Sequence, residues 1–436
     1  MSDETTTYGP RRTDAGGRTA VPGPADASRA GRPASAADRP GDRRGGWPAV
    51  AAVALGSLAL VLSELLPVGA LPAIAADLGV STGTAGLLVV VPGLAAAVAA
   101  PVLTVASRRF DRRPVLWTLA ALTVVADVVC ALAPNLAAVL AGRLLLGLAL
   151  GGFWAVGAAA AGRLVPPAAV HRASSLVTAG ISVGTVASLP LAALAARTGS
   201  AGSGDGTGWR VAFAAAGVLG LLALGAQLRF LPRLPAGAVA GVRALLAVPR
   251  RPAARAGLLA TCLVFLGHFA AYTYIAPYLQ RNAHLGAGAV AGLLLAYGLA
   301  GIAGNFLAGL TLARTVPGTV CGASAALAAV AGALPLCAGS PLLVAVLVTV
   351  WGAAFGAVPL SLQTALAGSV PEAPESALAV FVTAVQLSLA AGSLLGGLVA
   401  DGPGIPTALA TGAALTGSAA VAAVLLRGRP VRGSAA

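Results

Sequence analysis

The sequence contains twelve apolar runs, each long enough to cross a bilayer, and this pattern restricts the fold more than any other feature. A helix rises about 1.5 Å per residue, so roughly 20 apolar residues span the hydrocarbon core. Clusters of Arg, Pro, Gly and acidic residues separate the runs. We therefore predict an all-α integral membrane protein with spanning helices at residues 49–75, 84–106, 114–132, 136–161, 170–196, 209–231, 255–279, 286–312, 317–338, 341–368, 374–400 and 404–426.

The composition agrees with this prediction and argues against a nucleic-acid-binding protein. Hydrophobic residues make up 58% of the chain and charged residues only 10%, which is far more apolar than an ordinary globular protein. The formal net charge is +14, but every basic residue is Arg, and most lie in short loops or tails between the apolar runs. No continuous basic face is left for a phosphate backbone, so we expect a lipid bilayer and no nucleic acid as a partner.

The arginines are distributed unevenly between alternate loops. Most lie on the side that carries both chain ends, whereas the opposite side holds only Arg197, Arg210 and Arg281. Cytoplasmic loops carry an excess of Arg and Lys, so we predict a cell-membrane protein with both termini in the cytoplasm.

The longest predicted cytoplasmic connection, residues 232–254, divides the spans six and six. We predict a disordered N-terminal tail over 1–47, two six-helix halves over 48–231 and 255–427, and a C-terminal tail over 428–436. The N-terminal tail has few large apolar side chains to offset the entropy of ordering. Two six-helix halves are typical of a large class of transporters.

Ionisable residues inside the spans are few, and Glu64 is the most central of them. It lies 16 residues after Pro48 and 13 before Asp77, which places it near the membrane midplane. Ionising a carboxyl group there is costly, so protonation becomes accessible unless a cation or a wet cavity holds the charge. Two interpretations stay open: a hydrogen-bonded structural acid, or a site for a proton or a cationic substrate.

Arg143 and Asp127 lie at similar depths in the fourth and third predicted spans. An Arg cannot readily lose its proton, so Arg143 must contact a carboxylate, carbonyl groups or water. The two residues could form a structural ion pair or take part in a proton relay.

An aromatic face occurs in the seventh predicted span, where Phe265, His268, Phe269 and Tyr272 follow helical spacing. Only 4% of the chain is aromatic, so this concentration is unusual. The face either packs between helices or forms a cavity wall that contacts substrate. Asn305, Gln363 and Gln386 are further polar side chains at membrane depth, and each either lines the cavity or bonds between helices.

Residues suited to catalysis or metal binding are missing from the sequence pattern. Cys130, Cys262, Cys321 and Cys337 lie in apolar runs without metal-ligand spacing, which is typical of small buried side chains. No Ser/His/Asp set or cluster of carboxylates occurs in the spans. We expect no enzyme activity, no cofactor and no metal site, and we expect a monomer.

Several motifs resemble the major facilitator superfamily, and within it the drug:proton antiporters related to bacterial arabinose, sugar, purine and chloramphenicol exporters. The resemblance covers residues 50–426. The motifs are SELLPVGALPAIAADLGVS in the first span, RRFDRRPVL between the second and third, RLLLGLALGGFWA in the fourth, GISVGTVASLPLAAL in the fifth, and GHFAAYTYIAPYL with GLAGIAGNFLAG in the seventh and eighth.

This resemblance implies a proton-coupled exporter of small organic molecules that rocks two halves around a midplane cavity. It implies proton coupling through Glu64, Asp127 and Arg143, with Trp154 joining the aromatic and amide residues on the cavity wall. It also implies a set of residues that act in conformational change: Arg109, Asp111, Arg112, Arg113, Gly147, Gly151, Gly180, Gly184 and Pro190. Of these, the glycines and Pro190 of the fifth span are expected to form part of the moving seam between the halves. The alternative is a non-coupled or importing facilitator of the same fold, which would not need Glu64.

Overall fold

The computed structural model describes residues 46–106, 111–161, 163–198, 208–234, 242–312, 314–371 and 374–427. Most of the two predicted tails, part of the predicted central loop at 235–241, and Arg109 lie outside these ranges. The described chain forms twelve long helices: α1 Gly46–Asp77, α2 Leu87–Ala106, α3 Arg112–Leu132, α4 Leu136–Ala161, α5 Val170–Thr198, α6 Gly208–Phe230, α7 Pro252–Tyr272, α8 Ala287–Leu312, α9 Val316–Ala333, α10 Pro341–Ser369, α11 Pro374–Asp401 and α12 Ile405–Arg427.

These helices confirm the predicted fold class. Among the described residues, 11 helices are long and apolar enough to cross a membrane, and α12 contains a shorter apolar stretch, Ile405–Val421. One break was not predicted: α7 ends at Tyr272, and a short helix, Ile275–Arg281, continues its path. A second short helix, Thr82–Ala85, precedes α2 and is capped by Ser81, whose side chain accepts a hydrogen bond from Thr84 N.

The packing of the first six helices is repeated by the last six. In the N half, α1 to α6, helix α1 packs on α5 and α6, α2 packs on α4, and α3 packs on α4 and α6. In the C half, α7 to α12, helix α7 packs on α11 and α12, α8 packs on α10, and α9 packs on α10 and α12. The main contacts between the halves are made by α2 with α11 and by α5 with α8.

Pairs of glycines four residues apart allow the closest of these packings. Each pair faces backbone atoms of a partner helix in the same half, where a Cβ atom would collide with the chain. Small residues permit such close approach in membranes, where lipid is as apolar as the helices themselves. The pairs are Gly147 and Gly151 of α4 against α2, Gly180 and Gly184 of α5 against α1, Gly352 and Gly356 of α10 against α8, and Gly392 and Gly396 of α11 against α7.

The glycines of α5 therefore correct one expectation. Gly180 and Gly184 were expected in a moving seam between the halves, but they lie against Ala54 and Leu58 of α1, inside the N half. The contact of α5 with the other half is made at Val186, which lies against Gly298 of α8. Pro190 is buried within α5, which continues through it.

The outer surface of the helix bundle is strongly apolar. Phe306, Leu310, Leu342 and Leu398 are each about 70% exposed, and many other large apolar side chains are exposed beside them. A soluble monomer rarely exposes so large an apolar surface, whereas lipid covers it without cost. Because the twelve helices alternate in direction, Gly46 and Arg427 lie at one end of the bundle, the termini face, and Asp77 lies at the other end, the distal face.

Changing Gly396 to Ala should destabilise the protein. The new methyl group would meet the carbonyl of Ala270 on α7, so the two helices must separate, and overpacking of this kind costs about 1–3 kcal/mol. Thermal unfolding in detergent measures the effect. Gly225→Ala on α6 is the matched control: nothing lies within 4 Å of its added Cβ, and Ala favours a helix by up to about 1 kcal/mol. Equal melting temperatures for the two variants would contradict the glycine-packing argument.

Candidate functional site

Glu64 lies midway along α1 and forms a polar contact between the two halves. Its side chain is half-buried, and its Oε1 accepts a hydrogen bond of 3.4 Å from Gln386 Nε2 of α11. Gln386 itself is buried. This contact joins residues 322 positions apart in the chain, and it places a titratable group at the junction of the halves.

Arg143 is buried beside Glu64, and backbone carbonyl groups occupy its guanidinium. Nε donates to Leu88 O at 2.7 Å, Nη1 to Ser63 O at 2.8 Å and Nη2 to Glu64 O at 2.7 Å. These bonds tie α4 to α1 and to α2. Arg143 thus supplies a fixed positive charge next to Glu64 without forming an ion pair to its carboxylate among the described residues.

Asp127 of α3 lies on the other side of Ser63. The Ser63 hydroxyl donates to Asp127 Oδ1, while the Ser63 carbonyl accepts from Arg143. Asp127 Oδ2 is buried and has no hydrogen-bond partner among the described residues. The direct Asp127–Arg143 ion pair that the sequence left open is absent from the described residues, because carbonyl oxygens already occupy the guanidinium and Ser63 stands between the two side chains.

His268 belongs to an aromatic cluster in the C half. Its ring stacks on Phe355 at a centroid distance of 3.7 Å and on Tyr272 at 4.8 Å, and its Nδ1 accepts from Trp351 Nε1 at 3.2 Å. Phe265 and Phe269 also contact Phe355. His268, Tyr272 and Trp351 are all at most 3% exposed, so in this conformation the face packs between α7 and α10. The His268 Nε2 atom is buried without a partner among the described residues.

Three of the predicted cavity residues lie apart from both Glu64 and the His268 cluster. Trp154 is half-buried on α4 and contacts Phe153 edge-on at 6.2 Å. Asn305 is exposed on α8, next to the exposed Phe306. Gln363 lines a cavity of about 350 Å³ between α10 and α11. Of the predicted amide residues, only Gln386 meets Glu64.

The basic motif RRFDRRPVL, which leads into α3, makes its described contacts within the N half. Asp111 caps α3 by accepting from Arg113 N at 2.9 Å, and it also accepts from Leu234 N at 2.9 Å. The Arg112 N–H donates to Leu234 O at 2.9 Å. These bonds fix the start of α3 to the segment that follows α6. Arg109 lies outside the described residues.

A second set of contacts between the halves lies at the distal face, and we name it the distal clasp: Ser81, Thr82 and Gly83 of the N half with Arg281 and Asp401 of the C half. Asp401 accepts from the Ser81 hydroxyl and, at 2.8 Å, from Gly83 N. Arg281 Nη1 donates to Thr82 Oγ1 at 2.8 Å. The clasp therefore joins, at the distal end of the bundle, the segment between α1 and α2 to the short helix Ile275–Arg281 and to the end of α11.

The sequence argument missed Ser63, Trp351 and Phe355. Ser63 is an ordinary small polar residue by sequence, although its position beside Glu64 was a usable signal. Trp351 and Phe355 lie in an apolar run, and only the packing of α10 against α7 brings them to His268. The described residues contain no group of three or more His, Cys, Asp or Glu that could hold a metal ion.

The sequence is similar to a known protein family and to individual members of known function. Residues 53–377 match the family model described as Major Facilitator Superfamily. The chain is 33% identical over 366 residues to the purine ribonucleoside efflux pump NepI of Escherichia coli (strain K12), covering 84% of this chain and 90% of that protein. It is 35% identical over 388 residues to the transcription regulatory protein OpdE of Pseudomonas aeruginosa, covering 88% and 94%.

Solved structures share the fold at low sequence identity. A D-xylose–proton symporter matches with a TM-score of 0.69 and 16% identity, covering 86% of this chain and 96% of that one. A bacterial homologue of the human lysosomal transporter Spinster, in an inward-facing and unoccupied conformation, matches with a TM-score of 0.67 and 17% identity, covering 87% and 94%.

Replacing Arg143 by Gln should destabilise the N half. Gln cannot supply donors to three carbonyl groups on two neighbouring helices, and each buried hydrogen-bonding group left without its partner costs about 1–3 kcal/mol. The check is the melting temperature of purified protein in detergent. Arg210→Gln is the matched control, because the Arg210 side chain is 23% exposed and pairs with Asp77 near the surface. A variant at 143 as stable as the control would show that the carbonyl contacts are dispensable.

Proposed function

The chain belongs to the major facilitator superfamily, and we propose that within this family of membrane transporters it exports small organic molecules in exchange for protons. We place it in the plasma membrane with both termini in the cytoplasm, as the arginine distribution indicates. The observation that carries the proposal is the contact between Glu64 and Gln386, because it puts one titratable group between the two halves.

Proton binding at Glu64 would change this contact directly. An ionised carboxylate accepts a charge-assisted hydrogen bond from the Gln386 amide, and such bonds are roughly twice as strong as neutral ones. Protonation removes the charge and weakens the bond, so the stability of the contact between α1 and α11 depends on the protonation state. Substrate and proton can then alternate at one site.

The charges around Ser63 favour Glu64 over Asp127 as the exchanging group. Arg143 provides one fixed positive charge, whereas Glu64 and Asp127 together provide two acids. Two ionised acids with one cation leave an excess negative charge at membrane depth, which is costly. Glu64 is half-buried and so more accessible to water, whereas Asp127 is only 1% exposed and bonded to Ser63. We assign proton exchange to Glu64 and a tuning role to Asp127 and Arg143.

Alternating access is supported by the level of the contacts between the halves. The distal clasp joins the halves near the ends of α1, α7 and α11, and Glu64–Gln386 joins them near mid-depth. We interpret the conformation as closed at the distal face.

For the substrate, we propose drug-, sugar- or nucleoside-like molecules. A relative of 33% identity is named as a purine ribonucleoside efflux pump, which makes purine ribonucleosides the first compounds to test. A non-coupled or importing facilitator would use the same fold, and its substrate movement would be unaffected by a protonophore.

Glu64→Gln should abolish proton-driven transport, because Gln preserves the hydrogen bond but binds no proton. Inside-out membrane vesicles with an imposed pH gradient provide the measurement: a transported compound releases protons and relaxes the gradient, and a pH-sensitive dye reports it. The matched control is Asp77→Asn, which removes an acid at the distal end whose contacts with Trp209 and Arg210 stay within the N half. Full gradient-driven accumulation of purine ribonucleosides by Glu64→Gln would refute proton coupling at Glu64.

Asp401→Asn should open the distal face more often. It weakens the bonds to Ser81 and Gly83, and exposed charged contacts of this kind shift a two-state equilibrium by about two- to fivefold. Hydrogen–deuterium exchange of the purified protein should increase in peptides around Gly83 and decrease near residues 98–106. Asp77→Asn should leave both regions unchanged. Faster exchange at Gly83 alone would indicate local fraying and would contradict a clasp that governs opening.

A further inference from the structure

The cavity that Gln363 lines is a groove between α10 and α11, and we name it the α10–α11 groove. It encloses about 350 Å³, within the usual range for a small-ligand site. Residues three and four positions apart share one face of a helix. The groove is lined by one such face of α10, formed by Leu360, Gln363, Thr364 and Ala367. Its other wall comes from the start of α11, with Ala377, Leu378 and Phe381.

The groove is nearer to the termini face than the Glu64–Gln386 contact is. Helix α11 begins at the termini face, and Phe381 precedes Gln386 on it by five residues, or about 7.5 Å along the helix axis. Phe381 also meets Phe265 of the aromatic cluster edge-on, at a centroid distance of 6.3 Å. A molecule that moves from the termini face towards Glu64 therefore passes the depth of the groove first.

Gln363 supplies the hydrogen-bonding groups of the groove. Its side chain is half-buried and makes no hydrogen bond to another described residue. The hydroxyl group of Thr364 already donates to Leu360 O at 2.7 Å, and the other lining side chains are apolar. A carboxamide offers a donor, Nε2–H, beside an acceptor, Oε1. The groove therefore suits a molecule with an apolar body and one edge that carries a donor next to an acceptor.

We propose that the α10–α11 groove is an entry site that binds the base of a purine ribonucleoside before the molecule reaches Glu64. Adenine carries an amino group beside a ring nitrogen, and a Gln carboxamide pairs with this edge through two hydrogen bonds. In the groove, Gln363 Oε1 accepts from the amino group and Gln363 Nε2 donates to the ring nitrogen. Phe381 and the apolar walls contact the flat ring, because every base has an apolar face that packs well on an aromatic side chain.

This inference rests on the proposed export function and narrows its substrates to nucleosides. A free sugar would place hydroxyl groups against Leu360, Leu378 and Phe381, which offer them no side-chain partner. A purely apolar drug would cover the Gln363 carboxamide without satisfying it, and a buried polar group left without a partner is costly. Proton exchange at Glu64 takes no part in this binding step, so the groove can be tested without a pH gradient.

Equilibrium binding of radiolabelled adenosine and of purine riboside, which lacks the amino group, to the purified full-length protein tests the pairing. The unmodified protein should bind adenosine about three- to tenfold more tightly, because purine riboside loses one of the two hydrogen bonds. Gln363→Met keeps the length of the side chain and removes both polar groups, so it should bind the two nucleosides equally and adenosine about tenfold more weakly. Gln280→Met is the matched control: it makes the same change at a half-buried Gln of the short helix Ile275–Arg281, at the distal end, and should keep the preference for adenosine.

A Gln363→Met protein that keeps the full preference for adenosine would overturn the proposal, and so would a lack of adenosine binding by the unmodified protein. Photolabelling of the unmodified protein with 8-azidoadenosine needs no variant and should modify peptides within residues 360–381. Labelling confined to peptides around Glu64 would exclude the groove. The vesicle assay of Glu64→Gln decides proton coupling separately, so the groove can stand where antiport fails, and antiport can stand where the groove fails. Melting temperatures identify any variant that does not fold.

Discussion

Arg143 carries a charge that it cannot lose, at a depth where neither lipid nor bulk water solvates it. The chain meets this constraint with three carbonyl oxygens from α1 and α2. Using carbonyl groups rather than a carboxylate has a consequence for the whole site. Neither acid is consumed in neutralising the guanidinium directly, so Glu64 keeps its carboxylate free for Gln386, and Asp127 keeps its contact with Ser63. One buried cation thus positions two acids without binding either.

The helices around this site are packed so closely that each half should move as a unit. Four glycine pairs bring backbone against backbone inside the halves, and in the described residues they recur on α4 and α5 and again on α10 and α11. Between the halves, the main contacts are limited to α2 with α11 and α5 with α8. Rotation about these two junctions leaves the glycine contacts inside each half intact, whereas separating helices within a half would break them. This difference supports rocking rather than rearrangement within a half.

Helix number and the approximate helix bounds followed from the sequence, because hydrocarbon demands about 20 apolar residues per span. Glu64, Asp127 and Arg143 stood out as candidates because a charge at membrane depth is conspicuous. Contacts that depend on helix rotation did not follow. Gly180 and Gly184 were expected in the seam between the halves but lie against α1, since small residues indicate close packing without identifying the partner helix. Asp127 and Arg143 share a depth, yet depth alone did not reveal that Ser63 stands between them. Trp351 was not predicted as a partner of His268, because that contact depends on how α10 packs against α7.

The two polar connections between the halves differ in exposure, and this difference suggests separate tasks. Glu64–Gln386 is partly buried, and Gln386 is only 4% exposed, so the charge on the carboxylate strongly affects the strength of this contact. The Asp401 bonds of the distal clasp are at the surface, where water competes for each of them and each contributes little. A weak clasp can open in every transport cycle without a large barrier. Whether opening is favourable then depends on the Glu64–Gln386 contact. In the proposed mechanism, the proton therefore acts at mid-depth, and the distal face follows because both contacts involve α11.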